Sequence, residues 1–274
     1  MAEQVKRVSW KGGSISDRTT CLVADNPSPM TFTGTNTWIV AEPGSGACVV
    51  VDPGPDSSRH LENIVVTCKN RKLSIAAILI THEHSDHNEV AGRLSKLSGA
   101  PIHSQNSGNL PDGALVVPET GLALSIVSLP GHSSDSVGIE VSGDKVLLTG
   151  DVIFKQSSTV ICAPDGVLAD YLQTLQRLKE YVTQRAIGRL LSAHGPTIDD
   201  PLACIDRAIA HRYDRLRQVQ TALAAGVSPD AASVVAAVYA DVDPHLRSAA
   251  QWSVQAQLKY LADTHGFLPP AIAP

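Results

Sequence analysis

The segment Thr81-His82-Glu83-His84-Ser85-Asp86-His87 puts four potential metal ligands, three imidazoles and a carboxylate, within six consecutive positions. On an extended chain, residues i and i+2 point the same way, so His82 and His84 can grip one cation. Asp86 and His87 then fall where the chain turns into the next element and can face a second cation. Imidazole and carboxylate suit zinc and also accept manganese or iron. A single histidine on a loop is ordinarily a hydrogen-bonded polar residue; four donors packed this closely ask for another explanation.

Two donors per ion leave a metal site incomplete, so further donors must come from elsewhere in the chain. Three candidates follow strand-like runs. They are His132 in Pro130-Gly131-His132-Ser133, Asp151 in Thr149-Gly150-Asp151, and His194 in Ala193-His194-Gly195-Pro196. Each has a glycine beside it that lets the backbone turn sharply.

The positioning elements are short. Runs rich in β-branched residues, bounded by glycine and proline, predict strands at Thr37–Ala41, Cys48–Asp52, Ala76–Ile80, Leu122–Ser128, Val137–Val141 and Lys145–Thr149. The last two, joined by Ser142-Gly143-Asp144, read as a hairpin. Apolar residues on one face predict helices over Asn88–Leu97 and Asp170–Val182. From about Pro201 the pattern is almost wholly helical. It predicts Cys204–Leu223, a helix started by Ser228 as N-cap with Pro229 behind it, and a last helix over Pro244–Thr264. The expected division is a catalytic unit at residues 1–200 and a helical unit at 201–274.

In order along the chain, HxHxDH, a glycine-His, a glycine-Asp and a final glycine-adjacent His resemble the metallo-β-lactamase superfamily. Asp52-Pro53-Gly54 is similar to that superfamily's first motif. The resemblance implies an α+β protein, an αβ/βα four-layer sandwich with metals at one edge. It also implies roles: His82, His84 and His132 on a first ion, Asp86, His87 and His194 on a second, and Asp151 bridging the two. Asp52 would support the metal loops from behind. Two divalent ions, zinc foremost with manganese or iron as alternatives, would then share a hydroxide that attacks a carbonyl or phosphorus centre, with Asp86 orienting it and taking its proton.

A narrower resemblance comes from Asn26-Pro27-Ser28-Pro29-Met30, from Gly34-Thr35-Asn36-Thr37-Trp38, and from His194-Gly195-Pro196 followed by a helix bearing His211-Arg212. These are similar to the lactamase-beta-like-2 branch, which implies a small winged-helix-like C-terminal domain. That branch includes endoribonucleases acting on single-stranded RNA, and related fungal polyketide-pathway sequences are thioesterases acting on carrier proteins. From Pro201 on, however, six Lys or Arg face six Asp, which is no basic platform. With three Trp and three Phe, the chain also has few rings to stack on bases. The leading expectation is therefore hydrolysis of an ester or thioester in a small molecule or carrier-bound acyl group. An endoribonuclease or phosphodiesterase on single-stranded RNA is the alternative, and a non-catalytic metal-binding interaction protein the third. His211, Tyr213 and Arg215, on the helix after the last motif, are candidate substrate contacts.

Bulk properties agree with a globular enzyme. The 274 residues are 43% hydrophobic and 18% charged, with a formal net charge of −5 that gives no global pull toward nucleic acid. No apolar run approaches the ~20 residues of a membrane helix. The N-terminus lacks the pattern of a secretory signal, and the five cysteines are scattered with no CxxC pair, which predicts a cytoplasmic protein without disulfides.

Overall fold

Strands buried on both faces read as unbroken apolar runs, and Trp38-Ile39-Val40 and Cys48-Val49-Val50-Val51 are such runs. The computed structural model describes residues 9–264. A first sheet of six strands runs in the order β1 (Gly13–Ser14), β2 (Thr19–Val23), β3 (Asn36–Val40), β4 (Ala47–Val51), β5 (Ser74–Leu79) and β6 (Ile102–His103). The first four are antiparallel neighbours. From β4 onward the pairing is parallel, with α1 (Ser58–Asn70) in the first crossover and α2 (Ser85–Asn88) and α3 (Ala91–Ser98) in the second. The second sheet contains β7 (Gly113–Leu115), β8 (Leu124–Ser128), β9 (Val137–Val141), β10 (Val146–Gly150) and β11 (Arg189–Ser192), in the order β11-β10-β9-β8-β7. Helix α4 (Leu168–Arg185) makes the crossover that sets β11 parallel to β10.

The period of two along each strand builds four layers. Trp38, Val40, Val49, Val51 and Leu79 face inward and meet Leu124, Ile126, Ile139, Val146, Leu148 and Leu191 of the second sheet. Their neighbours Ile39, Cys48, Val50 and Ile78 point outward and pack on Leu61 and Ile64 of α1 and Leu94 of α3. Leu147 and Leu190 face the other side, against Leu175 and Leu178 of α4. Each such side chain, fully buried, contributes about 1.5–3 kcal/mol, so the sandwich is held by its apolar faces. This is the αβ/βα sandwich the motifs imply.

Beyond the sandwich come α5 (Pro201–Ala224), α6 (Ala231–Val238), a 3₁₀ turn at Pro244–Leu246, and α7 (Arg247–Asp263). Ile205, Ile209, Leu216, Val234, Val254 and Leu261 of these helices join the same apolar cluster as α4. After Ser192 every regular element among the described residues is helical.

Several boundaries differ from the sequence pattern. The helix expected over Asn88–Leu97 is two pieces, α2 and α3. Between them Val90 N–H donates to Gly54 O at 3.3 Å, while Gly54 N–H donates to His87 O at 2.9 Å. The chain breaks there because it is tied to the loop after β4. The cap of α6 is Asp230, which accepts from Ser233 N–H at 2.9 Å, and not Ser228 two residues earlier; Asp230 sits three residues before the donor it satisfies. Helix α1 goes unannounced in the pattern because only His60, Leu61, Ile64 and Cys68 of its thirteen residues are buried.

Candidate metal centre and cleft

All the expected donors sit where strands end on one edge of the sandwich. The His82–His87 loop follows β5, His132 follows β8, Asp151 follows β10 directly and His194 lies two residues beyond β11. Gly131 (φ 133°) and Gly150 (φ 52°) make the turns possible. A Cβ at Gly131 would lie 2.3 Å from the Tyr171 Cα, and one at Gly150 would lie 2.8 Å from Thr81 Oγ1, so neither position accepts a side chain. The two sheets are stitched together at this edge. Asn36, at the start of β3, donates to Ser192 O and Gly195 O at 2.8 Å each, which fixes the loop carrying His194. Val137 N–H donates to Thr81 O at 2.8 Å, and Glu83 N–H donates to the buried Asp135 at 2.9 Å.

The seven side chains converge as the sequence implies. Three groups have donor atoms that all lie within 4.8 Å of one another: His82, His84 and His132; His82, His87 and Asp151; and Asp86, His87 and His194. His84 Nδ1 is 3.1 Å from both His82 Nε2 and His132 Nε2. Zinc–nitrogen bonds of 2.0–2.1 Å in a tetrahedron put ligand nitrogens about 3.3 Å apart, so this spacing fits a shared cation. Asp86 Oδ2 lies 3.3 Å from His194 Nε2 and 3.6 Å from His87 Nε2. Asp151 lies between the groups. Its Oδ1 faces His87 at 3.6 Å and His194 at 3.3 Å, and its Oδ2 faces His132 at 3.6 Å.

Buried imidazoles present a lone pair inward only if the other ring nitrogen is satisfied elsewhere. That condition is met by four of the five imidazoles. His82 Nδ1 donates to Thr81 Oγ1 at 3.1 Å, His87 Nδ1 to Asp52 Oδ2 at 3.0 Å, His132 Nδ1 to Val160 O at 2.8 Å and His194 Nδ1 to Gly34 O at 3.4 Å. His84 Nε2 faces Asp165 Oδ2 at 3.8 Å. On the inner side, His87 Nε2 and Asp151 Oδ1 are buried without a hydrogen-bond partner. A buried polar atom left bare costs about 1–3 kcal/mol, and here two of them face each other across the centre. The donor set therefore fits divalent cations.

Asp52 lies behind the loop and is hydrogen-bonded to it. Its carboxylate accepts from Thr81 N–H at 2.8 Å, from Thr81 Oγ1 at 2.7 Å and from His87. It does so from a left-handed backbone (φ 48°). Strain of that kind costs about 1–3 kcal/mol, whereas hydrogen bonds to a charged group return about 1.5–3 kcal/mol each, and three of them prevail.

The electrostatics divide the imidazoles. Burial drives His82 well below the ordinary histidine pKa and lowers His132 too, so both are neutral donors. Burial works the same way on His87 and His194, but the carboxylate of Asp151 outweighs it, holding His87 well above the ordinary value and His194 at about 9. Burial would raise Asp86 and Asp151; the facing histidines reverse that and keep both carboxyls below their usual range.

A cleft of about 660 Å³ opens above the centre, with His84, Asp86, His132, Asp151 and His194 as its floor. Phe32 and Phe154 stand edge to face on one side, 5.6 Å between centroids. Helices α5 and α7 and the segment between α6 and α7 complete the wall through Arg215, Tyr239, Val242, Leu246 and Trp252. Of the three substrate-contact candidates on α5, His211 and Arg215 line the cleft and Tyr213 does not, packing instead against the helical core. Residues four apart share a helix face, and the one midway between them points away. Asn36, Asp135, Asp165, Phe154 and Trp252 are contributors that the motif reading passed over. Of these only Asn36 lies in a recognised motif, and the others are scattered single residues.

A family model described as the metallo-beta-lactamase superfamily matches residues 30–105 and 89–186. A beta-lactamase-like protein 2 homologue from Caenorhabditis elegans is 28% identical over 90% of this chain and 85% of its own length. An atrochrysone carboxyl ACP thioesterase from Cryptosporiopsis sp. is 29% identical over 76% of this chain; the match spans 64% of that protein, just under two-thirds of its length. The crystal structure of a beta-lactamase domain protein from Burkholderia ambifaria shares the fold with a TM-score of 0.74 at 18% identity, covering 93% of this chain and 88% of that one. With its motif order, four-layer sandwich and edge-on cluster of histidines and aspartates, the chain belongs to the metallo-β-lactamase superfamily of hydrolases.

Proposed function

We propose that this chain is a dinuclear metal-dependent hydrolase of ester or thioester bonds, acting on a small molecule or a carrier-bound acyl group. The observation that carries the reading is the placement of Asp151, one oxygen toward His132 and the other toward His87 and His194. His82, His84 and His132 would hold one ion, Asp86, His87 and His194 the other, and Asp151 both. Zinc is the preferred metal for this nitrogen-rich set. When bound, such ions lower the pKa of water toward neutrality and polarise a carbonyl oxygen.

The chain's own residues do the rest. Asp86, part-exposed at the cleft floor and kept ionised by its histidine neighbours, accepts the proton of the attacking water at its carboxylate. Asp86 then returns that proton to the leaving sulfur or oxygen, and the thiol or alcohol departs through the open cleft. In this reading residues 1–200 form the catalytic unit and residues 201–274 a helical unit that lines its cleft. The named activity of the Cryptosporiopsis relative, a carrier-protein thioesterase, supports the substrate class. No helix of the described residues is long and apolar enough to cross a membrane.

The test is metal analysis followed by turnover. Protein loaded with zinc or manganese should carry close to two ions per chain and hydrolyse N-acetylcysteamine thioesters, and Asp86→Ala protein prepared in parallel should not. Cleavage of a labelled single-stranded RNA by the wild type alone, with thioesters untouched, would replace this reading with a nuclease.

A further inference from the structure

The wall of the cleft carries two guanidiniums that form no ion pair among the described residues. Arg212 is 4% exposed, yet among the described residues its guanidinium forms no ion pair; it donates to Thr159 O and lies 5.0 Å over the Tyr171 ring. One turn along α5, Arg215 is half-buried and likewise forms no ion pair among the described residues. It lies flat on Tyr239, 4.5 Å from the ring centroid, with Nη1 donating to Gln218 at 2.9 Å. Both line the cleft.

Taking a guanidinium out of water without a counter-ion is costly. Cation–π contacts and neutral hydrogen bonds return only part of that. The two arginines also depress their neighbour: burial, then Arg212 and Arg215, lower His211 to about 4, so the imidazole beside them is neutral and the charge stays on the guanidiniums. The carboxylates of the floor are engaged with the imidazoles facing them. An anion entering the cleft would therefore find a planar fork of donors already fixed against a ring, the geometry that suits a carboxylate. Much of the rest of the wall is apolar, through Phe32, Phe154, Tyr239, Trp252, Val242 and Leu246, with Ser157, Ser158 and Ser253 among them. A volume of about 660 Å³ is in the range that receives ligands of drug size.

We infer that Arg215, backed by the buried Arg212, forms an anion subsite opposite the metal centre, and that the preferred substrate is a largely apolar, ring-bearing acyl group carrying a second carboxylate. This rests on the ester or thioester reading for the bond that is cleaved, but the subsite can be measured without turnover.

Calorimetric titration of the metal-loaded protein with benzoate and with isophthalate reads it directly, since the two acids differ only in the second carboxylate. Isophthalate should bind about tenfold more tightly. Arg215→Met and Arg215→Gln should each weaken isophthalate to the level of benzoate and leave benzoate within about twofold. Equal affinity for the two acids on the wild type would overturn the subsite, and so would a parallel loss of both in the variants. The corresponding benzoyl and 3-carboxybenzoyl thioesters of N-acetylcysteamine separate the two readings. If neither is hydrolysed while the binding preference stands, the thioester reading fails and the anion subsite survives. If both are hydrolysed at equal rates with no binding preference, the reverse holds.

Discussion

The floor of the cleft and its far wall are built in opposite ways. On the floor, polar side chains from four strand ends are mostly buried, and every imidazole but that of His84 is braced by an acceptor on its outer nitrogen. Across from it, apolar side chains from helices are left partly open, with Trp252 43% exposed, and two guanidiniums form no ion pair among the described residues. Rigid strands place atoms to a few tenths of an ångström, which bond-breaking chemistry needs. Helices packed on the outside set shape and charge, which selection of a substrate needs. On the proposed reading, reaction would belong to the strand ends and selection of substrate to the helices, and the two should fail separately.

The sharpest way to break that division is at Asp151. Asp151→Ala should carry fewer than two ions per chain and lose more in kcat/KM than the roughly 100-fold that a supporting contact is worth, as read by elemental analysis and thioester turnover. Full metal content in this variant would remove the bridging role. Next is Asp52→Asn, which keeps the size of the side chain and removes the charge that braces His87. Metal affinity, measured by competition with a chelator, should drop about 10- to 100-fold with the circular dichroism unchanged.

A third prediction concerns the back of the floor. His60 is buried, with Nε2 held 2.7 Å from Thr37 Oγ1 and Nδ1 bare, and burial lowers its pKa to about 4. A depressed histidine means that the unfolded chain binds the proton first. The native state is thus at full stability above about pH 6.5 and loses it as pH falls toward 4, by up to about 3 kcal/mol from this residue. Denaturant unfolding between pH 4 and 7 should show that slope, and His60→Gln should be flatter by about that amount. Identical slopes would remove the assignment. The smallest effect belongs to the wall. Trp252→Ala should raise KM for an aromatic thioester about fivefold through lost apolar contact, with kcat and metal content intact. A fall in kcat would mean that wall and floor are coupled after all.

The two halves were also unequally legible in the sequence. The floor announces itself because its donors are rare residue types at local, repeated spacings, such as His82-x-His84-x-Asp86-His87, and because each glycine beside a ligand marks a turn. The braces are silent. Asp135 meets Glu83 across 52 residues and His132 is held by the Val160 carbonyl, a group every residue possesses. Much of the wall is silent for the same reason, since Phe154, Val242 and Trp252 are ordinary apolar residues until the fold brings them round one cavity. His211 and Arg215 could be singled out by their place on α5, but only the helix phase shows that Tyr213, between them, faces away.

The stitching of the two sheets at the ligand edge bears on the order in which the molecule assembles. The donors run from residue 82 to residue 194 and leave strands of both sheets. In an unfolded chain they are far apart, and no local segment beyond the His82–His87 loop could retain a cation. The apolar faces must close first and create the site, so metal would enter a finished scaffold as its last component. A chelator should then silence this protein without melting it, and the emptied protein should be rescued by metal alone.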